Sequence, residues 1–297
     1  MGNGVLYSMV MSVDHYENFP VASWFLPRHL REPIKHIYWF SRSADDIADE
    51  GQHSDEWRLE QLGLYREALG QIAQGQLQLS PTDPRYAIFT PLLSTIQQHQ
   101  LPLDLFTDLL TAFEQDVTVK RHADYNALHQ YCAHSANPVG RLLLHLYQKT
   151  NTTQLDYSDA ICTGLQLTNF WQDVAIDWHK DRVYIPTQTL TQFELDESYI
   201  AARCAGAPTT STQNKHWLRM MHHQVQYARQ QLQYGMPLAT QLPGRIGIEL
   251  RLIVLGGLRI LERLEQVDYD MFTQRPTLKK ADWLILSQRL LSTRFST

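Results

Sequence analysis

The sequence is poor in cysteine, in long apolar runs and in excess positive charge, and each shortage excludes a class of protein. Its three cysteines, Cys132, Cys162 and Cys204, are odd in number and show no CxxC spacing. Neither a disulfide framework nor a zinc site is therefore predicted, and we expect reduced, buried thiols of a cytosolic protein. The 13 histidines include no HExxH pattern, so structural or surface roles are expected for most of them.

Charge and hydropathy exclude two further classes. The 297 residues carry a formal net charge of −5 and a pI near 6.2, so the basic face that nucleic acids require is missing and no nucleic-acid partner is expected. The first residues lack the features of a secretory signal. The longest apolar segment, residues 250–264, is interrupted by four charges and is too polar for a membrane span. The expected location is cytoplasmic, with peripheral attachment at the inner face of the membrane as the alternative.

Strand signals are also scarce, whereas helical apolar spacing continues along nearly the whole chain. The segment 181–213, broken by Pro186, Gly206 and Pro208, is interpreted as a loop-rich connector. No internal repeat of fixed period is present, which disfavours a solenoid. The sequence predicts an all-α fold, with residues 1–297 forming a single domain of nine or ten helices. The helices are expected near residues 31–51, 54–69, 83–99, 102–122, 124–150, 156–180, 211–236, 241–267 and 277–294.

One polar stripe runs along the predicted helix 31–51. It consists of Tyr38, Arg42, Asp45 and Asp49, at steps of 4, 3 and 4. Positions four apart differ by about 40° around a helix, so both acids share the face of the apolar residues. A solvated surface stripe is the alternative, and the apolar neighbours argue against it.

A second stripe repeats the arrangement on the predicted helix 156–180, at steps of 3, 4 and 4: Gln166, Asn169, Asp173 and Asp177. Unpaired carboxylates on an inward face are strongly penalised. A shared Mg²⁺ ion removes that penalty, because it binds carboxylate oxygens and completes its shell with water and substrate phosphates. The two stripes therefore predict facing helices that bind a diphosphate through Mg²⁺, or alternatively Mn²⁺. The expected metal ligands are Asp45, Asp49, Asn169, Asp173 and Asp177.

These motifs resemble those of the head-to-head isoprenyl diphosphate synthases, the family of squalene and phytoene synthases. The resemblance covers about residues 15–265 and rests on YWFSRSADDIADE, YCAHSANPVG and QLTNFWQDVAIDWHKDRVYIP. It implies a helical bundle around a central cavity, in which both acidic motifs bind Mg²⁺ and the substrate diphosphate. No nicotinamide cofactor is expected, and the GxGxxG fingerprint is missing from the sequence.

The resemblance also implies roles for residues outside the acids. Arg42 would neutralise diphosphate charge, and Arg182 and Tyr184 would lie near the same end of the cavity. Tyr131 matches the tyrosine that the family places beside the reacting carbocation, with a core tyrosine as the alternative. Arg259 matches a C-terminal substrate-binding arginine only loosely, and a surface or salt-bridged arginine is its alternative.

Within the family the chain most resembles the bacterial hydroxysqualene synthases of hopanoid producers. The implied reaction converts presqualene diphosphate and water to hydroxysqualene and diphosphate. The alternatives are condensation of two farnesyl diphosphates to presqualene diphosphate or squalene, and a phytoene or dehydrosqualene synthase. A non-catalytic relative is disfavoured because both motifs are intact, and a di-iron bundle because no ExxH pattern accompanies the acids. Expected partners are the prenyl diphosphate, a membrane surface and other enzymes of the squalene pathway.

Two positions favour the water-adding reaction. Where several relatives carry a basic HSKSF-like turn, the segment from His15 to Phe19 has Glu17 in place of a lysine, which suits an enzyme that handles a single diphosphate. Asn137 replaces a small residue and would place a polar group, and with it a water, near the cation. The expected substrate-binding set is His15, Tyr38, Arg42, Gln166, Arg182, Tyr184 and Arg259.

Overall fold

A computed structural model describes residues 27–292 as a set of packed α-helices. Within these residues the only extended pairing is an isolated parallel bridge between Arg121 and Val183. The all-α prediction is therefore confirmed. In chain order the described helices are α1 (Arg28–Asp49), α2 (Asp55–Ala73), α3 (Tyr86–His99), α4 (Leu103–Thr118), α5 (Tyr125–Ser135), α6 (Asn137–Leu146), α7 (Thr152–Gln172), α8 (Val174–His179), α9 (Thr187–Gln192), α10 (Glu197–Cys204), α11 (Ser211–Gly235), α12 (Leu238–Gln241), α13 (Arg245–Gln266) and α14 (Lys280–Ser292).

Local side-chain caps explain where several helices begin. The Ser54 hydroxyl accepts from the backbone N–H of Trp57 at 3.3 Å, which makes Ser54 the N-cap of α2. Asn151 starts α7 and Thr210 starts α11, each through a capping box with the glutamine three residues later. Such a box satisfies two backbone donors at once, so these two long helices have well-defined starts.

The helices outnumber the predicted nine or ten because two predicted helices are divided, the connector is partly helical, and the short helix α12 precedes α13. The predicted helix 124–150 divides at Ala136, two residues before Pro138, whose ring removes a backbone donor. The predicted helix 156–180 begins earlier, at Thr152, and is interrupted at Asp173 (φ −108°, ψ 14°). The connector 181–213, predicted as loop-rich, contains α9 and α10.

Two clusters of buried apolar side chains form the interior. The first cluster lies among helices α1, α2, α3 and α4. It contains Phe40, whose ring contacts those of Phe89 and Phe106 edge-on, with centroid distances of 5.7 and 5.4 Å. The second surrounds α7 and α11 and extends to α13. Helix α6 contributes Leu142 to the first cluster and Leu144 to the second. The two acidic motifs therefore lie on helices that belong to different halves of the core.

The apolar segment 250–264 forms most of α13 and packs inside the protein. Val254, Leu261 and Leu264 on this helix are fully buried. Across residues 27–292, no helix combines the length and the hydrophobicity needed to cross a bilayer. Packing in the core is thus the fate of the apolar face of α13.

The cysteines are unpaired, as predicted. Cys132 is buried, but Cys162 and Cys204 are only half-buried, so the expectation of full burial was wrong for these two.

Helices α7 and α11 approach each other closely because glycine stands at their contact points. A Cβ atom added at Gly235 would lie 2.5 Å from the backbone oxygen of Tyr157. A Cβ atom at Gly164 would lie 2.9 Å from Cγ of Leu232. Because backbone atoms cannot move away as a flexible side chain can, the spacing of the two helices depends on Gly235 most strictly.

We predict that Gly235→Ala lowers the free energy of unfolding by about 2 kcal/mol, since the added methyl group must push α7 and α11 apart. The matched control is Gly63→Ala in α2, where no heavy atom lies within 4 Å of the added Cβ. That change should raise stability by up to about 1 kcal/mol through helix propensity. Urea unfolding of both variants measures the difference, and equal midpoints would contradict the close approach of the two helices.

Candidate functional site

The two acidic motifs meet where the end of α1 faces the segment after α8. The carboxylate of Asp49, on the last turn of α1, accepts from Nζ of Lys180 at 3.0 Å. It also accepts from Arg182, whose Nη1 lies 3.1 Å from Oδ2. These ion pairs join residues more than 130 positions apart. The structure therefore brings the two stripes together at one end of the bundle.

Asp173 occupies the break between α7 and α8 and is surrounded by donors. The amide of Asn169 donates to its Oδ2 at 2.9 Å. The guanidinium of Arg275 contacts both carboxylate oxygens, with Nη2 3.0 Å from Oδ2. Arg275 lies 102 residues further along the chain and belongs to no acidic or aromatic motif, so no local pattern predicted it.

Asp45 and Asp177 are the acids whose charge is least compensated. Burial raises the pKa of Asp45 to about 6, and Asp49 adds to this shift while Arg42 opposes it. Arg42 donates to Asp45 through Nη1 at 3.1 Å. Burial, followed by repulsion from Asp173, raises the pKa of Asp177 to about 7. Both shifts reflect carboxylates gathered in a partly dry place without enough positive charge nearby.

The donor chemistry of these residues fits a divalent cation that is shared with a phosphate group. Within residues 27–292, no three acidic, histidine or cysteine side chains are grouped as a cage formed by protein alone. Mg²⁺ does not require one, because one or two carboxylates with waters and substrate phosphates complete its shell. The stripes offer carboxylate and amide oxygens in pairs. A cation there would relieve the repulsion that raises the pKa values of Asp45 and Asp177.

A wall of aromatic rings lies directly beside the acids. Tyr184 stacks on Phe170, with ring centroids 3.7 Å apart and planes 8° from parallel. Tyr131 lies 5.8 Å from the Tyr184 ring and 6.1 Å from the Phe170 ring. Burial raises the pKa of both tyrosines well above the ordinary value, so each hydroxyl keeps its proton at neutral pH.

Asp116, which sequence reasoning missed, connects this wall to the acidic residues. Its Oδ1 accepts from the Tyr131 hydroxyl at 2.6 Å, and its backbone oxygen accepts from Arg182 at 3.1 Å. Burial raises the pKa of Asp116 to about 7, although Arg182 opposes the shift. The acid nearest in sequence, Glu114, lies only two positions away and therefore on another face of α4. Asp116 therefore belongs to no polar stripe of the kind that identified the other acids in the sequence.

Tyr38 and Gln166 continue the two stripes away from the acids. Tyr38 is half-buried one turn before Arg42, and Gln166 is half-buried just before Asn169. His15 and Glu17 lie outside the described residues.

Asn137 stands apart from the acids, at the start of α6. Its Oδ1 accepts from the Thr163 hydroxyl at 3.0 Å. Thr163 precedes Asp173 by ten positions, which corresponds to about 15 Å along α7. Asn137 therefore contacts α7 nearer to the start of that helix, away from the charged end of the bundle.

Arg259, predicted to bind substrate, is placed elsewhere by the structure. Its buried guanidinium donates to Asp282 through Nε at 2.7 Å and to Glu262 through Nη1 at 2.6 Å. The contact with Asp282 joins α13 to α14, whereas that with Glu262 lies within α13. Arg259 is therefore salt-bridged, which was the alternative interpretation, and its partners do not belong to the two acidic stripes.

Comparison with known proteins places this geometry in a family. The squalene/phytoene synthase family model matches residues 13–282. A hydroxysqualene synthase of Rhodopseudomonas palustris is 34% identical, over 91% of this chain and 86% of its own length. A phytoene synthase of Arthrospira platensis is 25% identical, over 94% of this chain and 90% of its own length.

Solved structures of two similar proteins have the same fold. The squalene synthase HpnC of Alicyclobacillus acidocaldarius has a TM-score of 0.74 at 32% identity, covering 86% of this chain and 90% of that chain. A dehydrosqualene synthase in complex with ligand has a TM-score of 0.75 at 18% identity, covering 97% and 95%, and shares the fold. Since the family model spans most of the sequence, the chain belongs to the squalene/phytoene synthase family.

Proposed function

We propose that this protein is a hydroxysqualene synthase, which converts presqualene diphosphate and water to hydroxysqualene and diphosphate. The observation that carries the proposal is the meeting of the two acidic motifs among Lys180, Arg182 and Arg275. Acids and cations interleaved in this way suit a diphosphate bound through divalent metal ions. The relatives named hydroxysqualene synthase, at 34 to 37% identity, support this reaction within the family.

The charged end binds the leaving group. When bound, Mg²⁺ (or Mn²⁺) stabilises the negative charge that develops on the diphosphate oxygens. Its proposed ligands are the five stripe residues Asp45, Asp49, Asn169, Asp173 and Asp177. Their carboxylates currently hold the side chains of nearby cations. With these carboxylates holding a divalent ion, the side chains of Arg42, Lys180 and Arg275 would be available to the phosphate oxygens.

The arginine and lysine side chains that we propose to bind the diphosphate lie around both stripes. Arg42 extends from α1, while Arg182 and Lys180 follow α8 and Arg275 precedes α14. Four positive side chains from three parts of the chain can contact different faces of a diphosphate. Tyr38, Gln166 and His15 are proposed to contact the same substrate further along the stripes.

The aromatic wall protects the carbocation. Loss of diphosphate takes the electrons of the breaking C–O bond and leaves a cyclopropylcarbinyl cation. The π-faces of Tyr131, Tyr184 and Phe170 stabilise positive charge without offering a nucleophile, and their burial keeps bulk water away. Asn137, which contacts α7 through Thr163 away from the charged end, is proposed to orient the water whose oxygen forms the new C–O bond, with loss of one proton.

The substrate and product are lipophilic, so a cytoplasmic protein in contact with a membrane surface is proposed. Handover to and from other enzymes of the squalene pathway follows from the same chemistry, because a preceding step must supply presqualene diphosphate and a reductive step must remove the hydroxyl group. No nicotinamide takes part in the proposed reaction, since water ends it.

The proposed reaction predicts one product from one substrate. With Mg²⁺ and presqualene diphosphate, we expect hydroxysqualene by mass spectrometry, and in ¹⁸O-labelled water the label should appear in its hydroxyl group. Farnesyl diphosphate offered alone should remain unconsumed. Turnover of farnesyl diphosphate would instead identify the condensation of two farnesyl units or formation of dehydrosqualene.

The raised pKa of Asp177 predicts how stability depends on pH. Because its folded-state pKa is about 7, against 3.8 for an ordinary aspartate, its contribution to stability is present at acidic pH and lost as pH rises through about 7. Asp177→Asn should therefore gain stability relative to the wild type between pH 5 and pH 8. Urea midpoints at both values measure this, with the exposed Glu60→Gln in α2 as control. Parallel pH profiles of the wild type and Asp177→Asn would contradict the prediction.

Mg²⁺ provides the second part of that test. Added at pH 8, it should raise the urea midpoint of the wild type and of Glu60→Gln, since binding to the folded state alone stabilises it. The midpoint of Asp177→Asn should rise less.

Asp116 is predicted to act through Tyr131 as a positioning residue. Asp116→Asn should lower kcat about tenfold with little change in KM, because the Tyr131 hydroxyl loses its charged acceptor. Combined with Tyr131→Phe, it should cause no further loss beyond that of Tyr131→Phe alone. The control is Glu114→Gln on the same helix, whose carboxylate pairs with Arg66 instead. Additive losses in the double variant would show that Asp116 does not act through Tyr131.

A further inference from the structure

Helix α14 exposes large apolar side chains on its outer face, while its inner face buries an acid, Asp282, as well as the apolar Leu286. Asp282 is completely buried, whereas Trp283, Leu284 and Leu291 are 56%, 76% and 82% exposed. A surface helix in water normally buries its apolar residues and exposes its acids. The outer face of α14 therefore suits an apolar neighbour better than water.

The inward face of α14 is held to α13 by ion pairs. Asp282 accepts from Nε of Arg259 at 2.7 Å and from Nη2 of Arg263 at 2.9 Å. Arg289, two turns later, donates to Glu262 through Nη1 at 2.6 Å. These contacts hold α14 at two points along its axis, one near its start and one near its end. Its position therefore does not depend on Trp283 or either exposed leucine.

The exposed apolar residues Trp283, Leu284 and Leu291 form a patch on the outward side of α14, which the exposed polar residues Ser287 and Gln288 interrupt. At 100° per residue, Leu284 and Leu291 differ by about 20° around the helix, and Lys280 lies about 40° from Leu284. Trp283 lies about 100° from Leu284 on one side of this stripe, whereas Asp282 lies about 160° away on the opposite side. Apolar side chains and a lysine thus share the outer face.

The charge on this face is positive. Lys279 and Lys280 are both exposed at the start of α14, and Asp282, the only acid in the helix sequence, is buried. Exposed lysines beside leucine and tryptophan are typical of helices that lie in the boundary of an anionic bilayer. Tryptophan in particular favours the level of the lipid headgroups.

A second copy of the chain fits this patch less well. The three apolar side chains expose on the order of 400 Å² together, about half of the roughly 800 Å² per partner that a stable protein interface buries. The adjacent lysines of two such patches would also be brought together and repel each other. Area and charge both favour a lipid surface.

The position of α14 in the chain connects the patch to the acidic residues. Arg275, five residues before α14, pairs with Asp173, and the amide of Gln172 donates to the backbone oxygen of Pro276. Five residues span at most about 17 Å. A surface bound by α14 is therefore near the charged end of the bundle.

We propose that α14 attaches the protein to lipid bilayers with anionic headgroups, with Trp283, Leu284 and Leu291 in the acyl boundary and Lys279 and Lys280 among the headgroups. The inference rests on the proposed membrane contact of this enzyme and identifies the surface that makes it. Attachment there holds the diphosphate-binding end close to the lipid in which an isoprenoid substrate dissolves.

Vesicle co-sedimentation of the full chain tests the proposal without substrate or metal. The wild type should bind vesicles of phosphatidylcholine with about one third phosphatidylglycerol more tightly than vesicles of phosphatidylcholine alone. Trp283→Ser combined with Leu284→Gln should lower the partition coefficient at least about tenfold, because two apolar side chains leave the boundary. Lys279→Gln with Lys280→Gln should remove the preference for anionic vesicles.

The matched control is Tyr234→Gln on α11, which changes an aromatic side chain that is 58% exposed on another helix and should leave vesicle binding unchanged. Wild type that stays in the supernatant, or a Trp283/Leu284 variant that binds as tightly as the wild type, would overturn the proposal. Sedimentation velocity adds a further test: a wild-type dimer that this variant converts to a monomer would assign the patch to a contact between copies.

Turnover of detergent-dispersed presqualene diphosphate separates this inference from the proposed function. The Trp283/Leu284 variant should retain wild-type turnover in detergent while losing vesicle binding, since neither residue belongs to the acidic cluster or the aromatic wall. A wild type that binds vesicles but converts no presqualene diphosphate would refute the proposed reaction and leave the docking surface intact. Loss of turnover in that variant would contradict a role limited to docking.

Discussion

The burial of carboxylates gathered at one end of the bundle is the constraint on which the rest of this structure depends. Asp45, Asp49, Asp173 and Asp177 come from two distant segments, and burial makes their charges costly. Arginine and lysine side chains offset part of that cost, and the remainder appears as raised carboxyl pKa values. These raised pKa values are the feature from which we propose a divalent cation at this site.

The helices that carry the acids are anchored in two separate apolar clusters. Helix α1 is anchored in one apolar cluster and α7 in the other, while α6 contributes to both. The segment after α8 then crosses back, and its backbone is fixed by hydrogen bonds such as that from Val183 N–H to the Lys120 oxygen at 3.0 Å. The position of Arg182 against Asp49 thus follows from backbone contacts as well as from charge.

Two sets of buried ion pairs in the same chain have different uses. Asp282 with Arg259 and Arg263 is a satisfied network, in which each charge has a partner and the outcome is the attachment of α14. Asp173 with Arg275 is part of the group in which Asp45 and Asp177 have raised pKa values. The first set fixes a helix, whereas the second is the one proposed to exchange its partners for the phosphates of a substrate. Partner balance, and not burial alone, separates the structural arginine from the proposed substrate-binding arginines.

The sequence by itself determined the helical fold and both acidic stripes, because helical periodicity and capping residues are local properties of the chain. It also placed Asp45, Asp49, Asn169, Asp173 and Asp177 on inward faces, since their apolar neighbours lie within one or two turns. Only the tertiary structure decided that Arg275 and Asp116 join this group and that Arg259 does not. Their partners lie 15 to 102 residues away, and no local pattern encodes which distant side chain will satisfy a buried charge.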